Sequence, residues 1–182
     1  MKNIYIILIS LVIVSSTFSQ NIIGSFGGGI SAPMGDFANG YNVGFNVSGN
    51  LGFKVHRIAG ARLDLQYNSF SSSSDLVEGN FSLVSVTADA ILVNTDRLKA
   101  KSGFAPYGIL GLGMYFVNPP DIKFFGTTLT GESKSYFGIG VGGGAVYKLS
   151  KNLGIFGELK YSFTLGGEQF NYVPLKIGLM FN

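Results

Sequence analysis

The stretch Tyr172-Val173-Pro174-Leu175-Lys176-Ile177-Gly178-Leu179-Met180-Phe181-Asn182 decides the fold. Val173, Leu175, Ile177, Leu179 and Phe181 fall on one face of an extended chain. Tyr172, Pro174, Lys176, Gly178 and Met180 fall on the other, because successive side chains in a strand alternate sides. The first face is aliphatic until an aromatic ends it, whereas the second is interrupted by a lysine and a glycine. A strand of this kind closes a β-barrel in a lipid bilayer.

The same period of two runs back through the chain. It predicts strands over residues 22–31, 41–54, 58–70, 80–94, 103–117, 134–148 and 153–164, with the eighth over 172–182. In the second, Val43, Phe45, Val47, Leu51 and Phe53 oppose Asn42, Gly44, Asn46, Ser48, Asn50 and Lys54. In the sixth, Phe137, Ile139, Val141, Ala145 and Tyr147 oppose Gly138, Gly140, Gly142 and Gly144. The connections alternate long and short, the four serines at 71–74 opening one long loop and Pro119-Pro120 another. Long loops on one side and short turns with both termini on the other is outer-membrane topology. The fold class is therefore all-β, an eight-stranded antiparallel up-and-down transmembrane β-barrel. Closure removes the unpaired strand edges that lipid would not tolerate.

Composition agrees. Charged residues are 13% of the 182, about half the share of an ordinary soluble domain, while hydrophobic residues reach 46% and Gly numbers 27. After residue 20 no apolar run is long enough for a membrane helix, so the hydrophobicity is distributed by alternation. There is no cysteine, hence no disulfide framework and no lipoprotein anchor. The net charge of +3 and the lack of a basic patch interleaved with aromatics exclude nucleic acid as a partner.

Residues 1–19 read as a signal peptide: Lys2 supplies the positive start, Ile4–Val14 the apolar run, and Ser15–Ser19 the small residues for cleavage before Gln20. Residues 20–182 then form one barrel domain. A lipocalin-like soluble barrel would share the period, but it would show water a face rich in Lys, Glu and Thr. Here the polar face is mostly Gly, Ser and Asn, suited to a narrow interior, and the large apolar face suits lipid.

The alternation places Lys54, Arg62, Asp64, Asp89, Glu158, Lys160 and Lys176 in the lumen. Folding the hairpins sets Arg62 opposite Asp89, and Lys160 opposite Lys176 with Glu158 one step away. An eight-stranded interior is only wide enough for side chains, so these charges form a structural polar network. Their alternative role is an ion or proton path.

No motif carries chemistry. Gly138-Ile139-Gly140-Val141-Gly142-Gly143 lies within a strand with no helix after it, so it is not a dinucleotide loop. The single histidine, His56, sits in a short turn, at the wrong end for a barrel enzyme acting at the outer rim. Neither a catalytic group, a cofactor site nor a metal site is expected. The long loops are acidic (Asp36, Asp75, Glu78, Asp121, Glu132 and Glu168 against Lys123 and Lys134). The short turns are basic (Arg57, Arg97, Lys99, Lys101, Lys148 and Lys151 against Asp96). Acidic loops could engage divalent cations or a cationic partner. Asp121, Phe124, Phe125 and Glu132, in the loop at 118–133, are the candidate surface contacts.

With these features the chain resembles the small outer-membrane β-barrels of Bacteroidota-type bacteria, the PorT-like group, and more distantly the OmpA/OmpX type. The resemblance covers the mature chain. It rests on Gln20 at the mature start, Gly27-Gly28-Gly29, the run Ala32-Pro33-Met34-Gly35-Asp36-Phe37 and the terminal aromatic strand. It departs from the pattern in that Phe181 is penultimate, before Asn182. The resemblance implies a Gram-negative outer membrane, contact with its lipid, and recognition of the last strand by the barrel-assembly machinery. No functional residue carries over from it. The reading is a monomeric barrel with a filled lumen, acting structurally or through its loops on an unidentified surface or periplasmic partner. A narrow channel for small solutes or ions is the alternative, and a lipid-modifying barrel enzyme the third reading.

Overall fold

The computed structural model describes residues 22–74, 77–93, 103–124, 127–129 and 131–181. The expected signal peptide, the connection at 95–102 and Phe125 lie outside the described residues. Among the described residues there are eleven strands: β1 (Ile22–Met34), β2 (Gly44–His56), β3 (Ala59–Ser71), β4 (Val77–Glu78), β5 (Asn80–Val93), β6 (Gly103–Asn118), β7 (Asp121–Phe124), β8 (Thr127–Leu129), β9 (Lys134–Lys148), β10 (Leu153–Leu165) and β11 (Asn171–Phe181). Eight of them close a barrel in the order β1-β11-β10-β9-β6-β5-β3-β2. Every pairing in it is antiparallel, and β11 returns to β1.

Register fixes the shape of the barrel. From Ile23 the paired residues run Gly52, Arg62, Asp89, Gly111, Gly140, Ser162 and Tyr172, arriving back on β1 at Pro33. One circuit thus climbs from Ile23 to Pro33, a stagger that tilts the strands by roughly 40° and leaves room inside for side chains only.

All eight expected barrel strands form. The largest boundary differences are at β1, which continues past Ser31 to Met34, and at β2, which begins at Gly44 rather than Tyr41. Tyr41 instead packs its ring on Phe37 at 5.0 Å. Phe37 lies on a short 3-10 helix over Gly35–Asn39. The loop expected at 118–133 is corrected: it contains β7 and β8, which join β4 in a small three-stranded sheet on the long-loop side. Val77 and Glu78 pair with Ile122 and Asp121, a non-local match that local turn signals around Pro119-Pro120 do not reveal.

The interior is layered. At the long-loop end Phe37, Phe70, Phe81, Leu83, Tyr115, Val117, Phe170 and Tyr172 form an apolar cluster. At the short-turn end Val93, Ala105, Val146, Phe156 and Met180 form a second. Charged side chains occupy the level between them.

Candidate functional site in the barrel lumen

Alternation delivers the charges to the lumen. Arg62 and Asp64 come from β3, Asp89 from β5, Glu158 and Lys160 from β10, and Lys176 from β11. Arg62 spans the interior. Its Nε and Nη2 donate to Asp89 Oδ2 at 3.1 and 2.6 Å, while its Nη1 and Nη2 donate to Glu158 Oε2 and Oε1 at 2.6 and 3.2 Å. Lys176 Nζ meets Glu158 Oε1 at 2.9 Å and Asp64 Oδ2 at 3.3 Å. Lys160 Nζ lies 2.9 Å from Asp64 Oδ2 and 3.6 Å from Asp89 Oδ2. Thr87 and Tyr107 donate to Asp89 and Glu158 at 2.8 and 3.1 Å. Arg62, Lys160 and Lys176 balance Asp64, Asp89 and Glu158 charge for charge, so the cluster is neutral. Pairing of this kind offsets the cost of burying charge.

Glycine makes the room. A methyl on Gly111 would strike the Asp89 carboxylate, one on Gly140 the stem of Lys160, one on Gly138 the ring of Tyr115, and one on Gly27 or Gly178 the ring of Phe156. Small residues on one strand therefore accommodate long side chains from the next, and the G-x-G run of β9 has a packing explanation.

Arg62 stands opposite Asp89, as expected. The expected facing of Lys160 and Lys176 is corrected: Glu158 pairs with Lys176 directly, and Lys160 lies further toward the long-loop end. The β10–β11 connection is tighter than a symmetric loop. Gly166 and Gly167 turn it with positive φ of 78° and 62°, and the Phe170 amide donates to Thr164 Oγ1 at 2.9 Å. Lys54 is half-buried near the short-turn end, outside the ionic cluster. Lys148, expected among solvated turn residues, is another correction. It points inward at 0% exposure, and its Nζ has no hydrogen-bond partner among the described residues. Its even number, shared with Gly138 through Gly144, was the available signal.

Among the outer residues, Glu132 is exposed, as are Asp36 and Glu168. Asp121 and Phe124 lie on β7 in the small sheet. Glu168 reaches Lys134 at 3.7 Å between exposed side chains. Burial in the mouth, with the Glu168 charge, holds the Tyr41 hydroxyl above its usual range. His56 is exposed at the short-turn end of β2.

The outer wall is apolar. Ile177 is 64% exposed beside Lys176 at 0%, and Leu63, Leu65, Leu110 and Leu112 are all more than half exposed. Outward aromatics gather toward the two ends, with Phe45, Phe116 and Phe137 at one and Phe53, Phe104, Tyr147 and Phe181 at the other. Phe137 and Tyr147 on β9 are separated by about 33 Å along the strand, or about 25 Å along a barrel axis tilted near 40°. That is the height of the apolar band of a membrane barrel. A wall of this kind, around a polar interior, defines a transmembrane β-barrel of the outer-membrane type.

Solved structures share this fold. The chain is similar to neisserial surface protein A (TM-score 0.60, 15% identity, covering 88% of this chain and 95% of that one). It is also similar to the attachment invasion locus protein Ail of Yersinia pestis (0.57, 19%, 89% and 99%). The outer membrane protein OprG from Pseudomonas aeruginosa gives 0.58 at 14%, with 88% and 93% covered. No protein-family model and no curated protein sequence matches the chain.

Proposed function

We propose that this protein resides in a bacterial outer membrane as a barrel closed to solutes, and that it acts structurally or through its outer loops on a partner. The observation that carries the reading is the layered lumen: a neutral, fully cross-linked ionic cluster lies between two apolar clusters. A conducting path needs charges that are hydrated and unpaired, and Arg62 instead ties β3 to β10 across the interior. The signal peptide, recognition of β11 by the assembly machinery and the kinship with the PorT-like group belong to the same proposal.

The outer end directs the choice of partner. Ail has been solved in complex with the heparin analogue sucrose octasulfate. The present chain carries acidic outer residues, Asp36, Glu132 and Glu168 among them, which favour a cationic or divalent-bridged partner over a polyanion. Neutralising Asp121 and Glu132 together would then weaken capture of such a partner.

Solute uptake by liposomes holding the refolded protein tests the closed lumen, with a heat-dependent gel shift as the folding control. A folded protein without uptake supports it. Uptake by the wild type that Arg62 or Glu158 variants abolish establishes the channel reading instead.

A further inference from the structure

The ionic cluster leaves one side of the lumen unexplained. On the inward faces of β2 and β3, Asn46 stands opposite Asn68, Ser48 opposite Gln66, Asn50 opposite Asp64, and Gly52 opposite Arg62. Asn46, Ser48, Asn50, Asp64 and Gln66 are all at least nine-tenths buried. Yet Asn46 Oδ1, Ser48 Oγ, both amide atoms of Asn50, Asp64 Oδ1 and Gln66 Oε1 have no hydrogen-bond partner among the described residues. Directly opposed side chains have Cβ atoms about 5 Å apart, so these atoms form one contiguous group. Beside them on β1, Ser25, Gly27 and Gly29 pair with Asn50, Ser48 and Asn46, and the Phe156 ring lies over Gly27.

Buried polar atoms left unpaired are costly, and a native interior satisfies them. Five of the six unpaired atoms here are oxygens, four of them obligate acceptors, so the group calls for a small donor. A metal cation is opposed by Lys160 and Lys176, which already hold the other oxygen of the Asp64 carboxylate at 2.9 and 3.3 Å. Water is neutral, donates twice, and is held where two to four polar partners converge.

The ends of the group differ. Toward the long loops Asn46 Nδ2 donates to Ser31 Oγ at 3.0 Å and Ser31 Oγ to Asn68 Oδ1 at 2.8 Å. Ser31 and Asn68 are both at 0% exposure, and the aromatic cluster lies above them. Toward the short turns Gly52, Lys54 and Gly60 are partly exposed, and the Arg62 side chain, though nine-tenths buried, keeps 10% exposure.

We infer that the β1–β3 side of the lumen holds a blind file of bound water, entered from the short-turn end past Gly52 and Arg62, reaching Asn46 and closed beneath the aromatic mouth. It goes beyond the closed-barrel reading and does not depend on what the outer loops bind. Water in the file hydrogen-bonds Asn50, Ser48, Gln66 and the free oxygen of Asp64, and gives the periplasmic side alone a wet route to the ionic cluster.

The test is water-to-side-chain cross-relaxation by NMR on labelled protein in nanodiscs. Water cross-peaks are expected at the Asn50 amide group, with none at the rings of Phe70 and Tyr172. Their absence at Asn50 overturns the proposal. Gly52→Phe checks the entrance, because a Cβ there meets only ordinary contacts, at 3.5 Å from the Ala61 carbonyl. The variant is expected to weaken the Asn50 cross-peak several-fold; an unchanged peak refutes entry from that end. Asn50→Leu gives an independent sign. It lowers the urea midpoint if Asn50 is hydrated, whereas a midpoint that is unchanged or higher means the group is dry. A midpoint that rises with sodium or potassium at constant ionic strength would replace water by a cation and overturn the assignment.

Discussion

Arg62→Met asks most directly what the lumen charges do. Methionine keeps the length of the stem and removes four hydrogen bonds, two to Asp89 and two to Glu158. The cluster changes from neutral to one net negative charge. Removing one partner of a buried pair costs about 3–5 kcal/mol, because the remaining charge is left uncompensated. Here the lower end applies. Glu158 keeps Lys176 at 2.9 Å and the Tyr107 hydroxyl at 3.1 Å, while Asp89 keeps Lys160 at 3.6 Å and Thr87 at 2.8 Å. A loss of about 3 kcal/mol is expected in urea unfolding in detergent, read by the gel shift. The double variant Arg62→Met with Asp89→Asn restores neutrality and is expected to recover at least half of it, so the two changes couple strongly in a double-mutant cycle. An Arg62→Met barrel within about 0.5 kcal/mol of wild type would refute the argument, since changes of that size are typical of surface sites without a structural role.

The glycines allow a paired comparison: Gly111→Val drives a side chain into Asp89 and is expected to prevent stable folding, whereas Gly157→Ala, facing lipid with open space around it, leaves the unfolding midpoint unchanged or higher. Leu110→Arg, on an outward position 59% exposed near the middle of β6, is expected to cost about 2–4 kcal/mol in bilayers, where a barrel in water would tolerate it. Phe37→Ala removes the ring that meets Phe70, Phe81 and Phe170 at 5.0–5.5 Å, and about 3 kcal/mol is expected by urea titration. Tyr41 keeps its proton longer folded than unfolded, so above about pH 10 the folded state binds more protons. Stability then falls as pH rises, and Tyr41→Phe should flatten part of that slope.

What the sequence disclosed and what it withheld follow from range. Alternation is local, so β11 could be read from eleven residues, and Arg62 met Asp89 because both hairpin arms are regular. The place of Lys148 beside a turn suggests solvation, whereas its parity with the inward glycines of β9 marks it as inward. Register across the β10–β11 loop depends on Gly166, Gly167 and the Thr164 contact, a local geometry that loop length does not determine. Phe37 and Phe170 lie in connections without a period, and only the closed barrel brings them together, with ring centroids at 5.5 Å. The small sheet of β4, β7 and β8 required pairing between two different loops.

The glycine content and the charges are two sides of one solution. Eight strands with this stagger enclose a space that side chains must fill, and lipid outside prevents the barrel from burying apolar groups on its outer wall for stability. Packing must therefore come from within. Long ionic side chains reach across a lumen that aliphatic ones would not span, and each needs a neighbour without a side chain to lie over, as Asp89 lies over Gly111 and Lys160 over Gly140. Exchanging the residues of one such pair, as in Asp89→Gly with Gly111→Asp, keeps the composition and the net charge while moving the carboxylate onto β6. If reach alone mattered the double variant would be stable. If the salt bridge to Arg62 on the adjacent strand matters, as the 2.6 Å contact implies, it unfolds at lower urea than wild type.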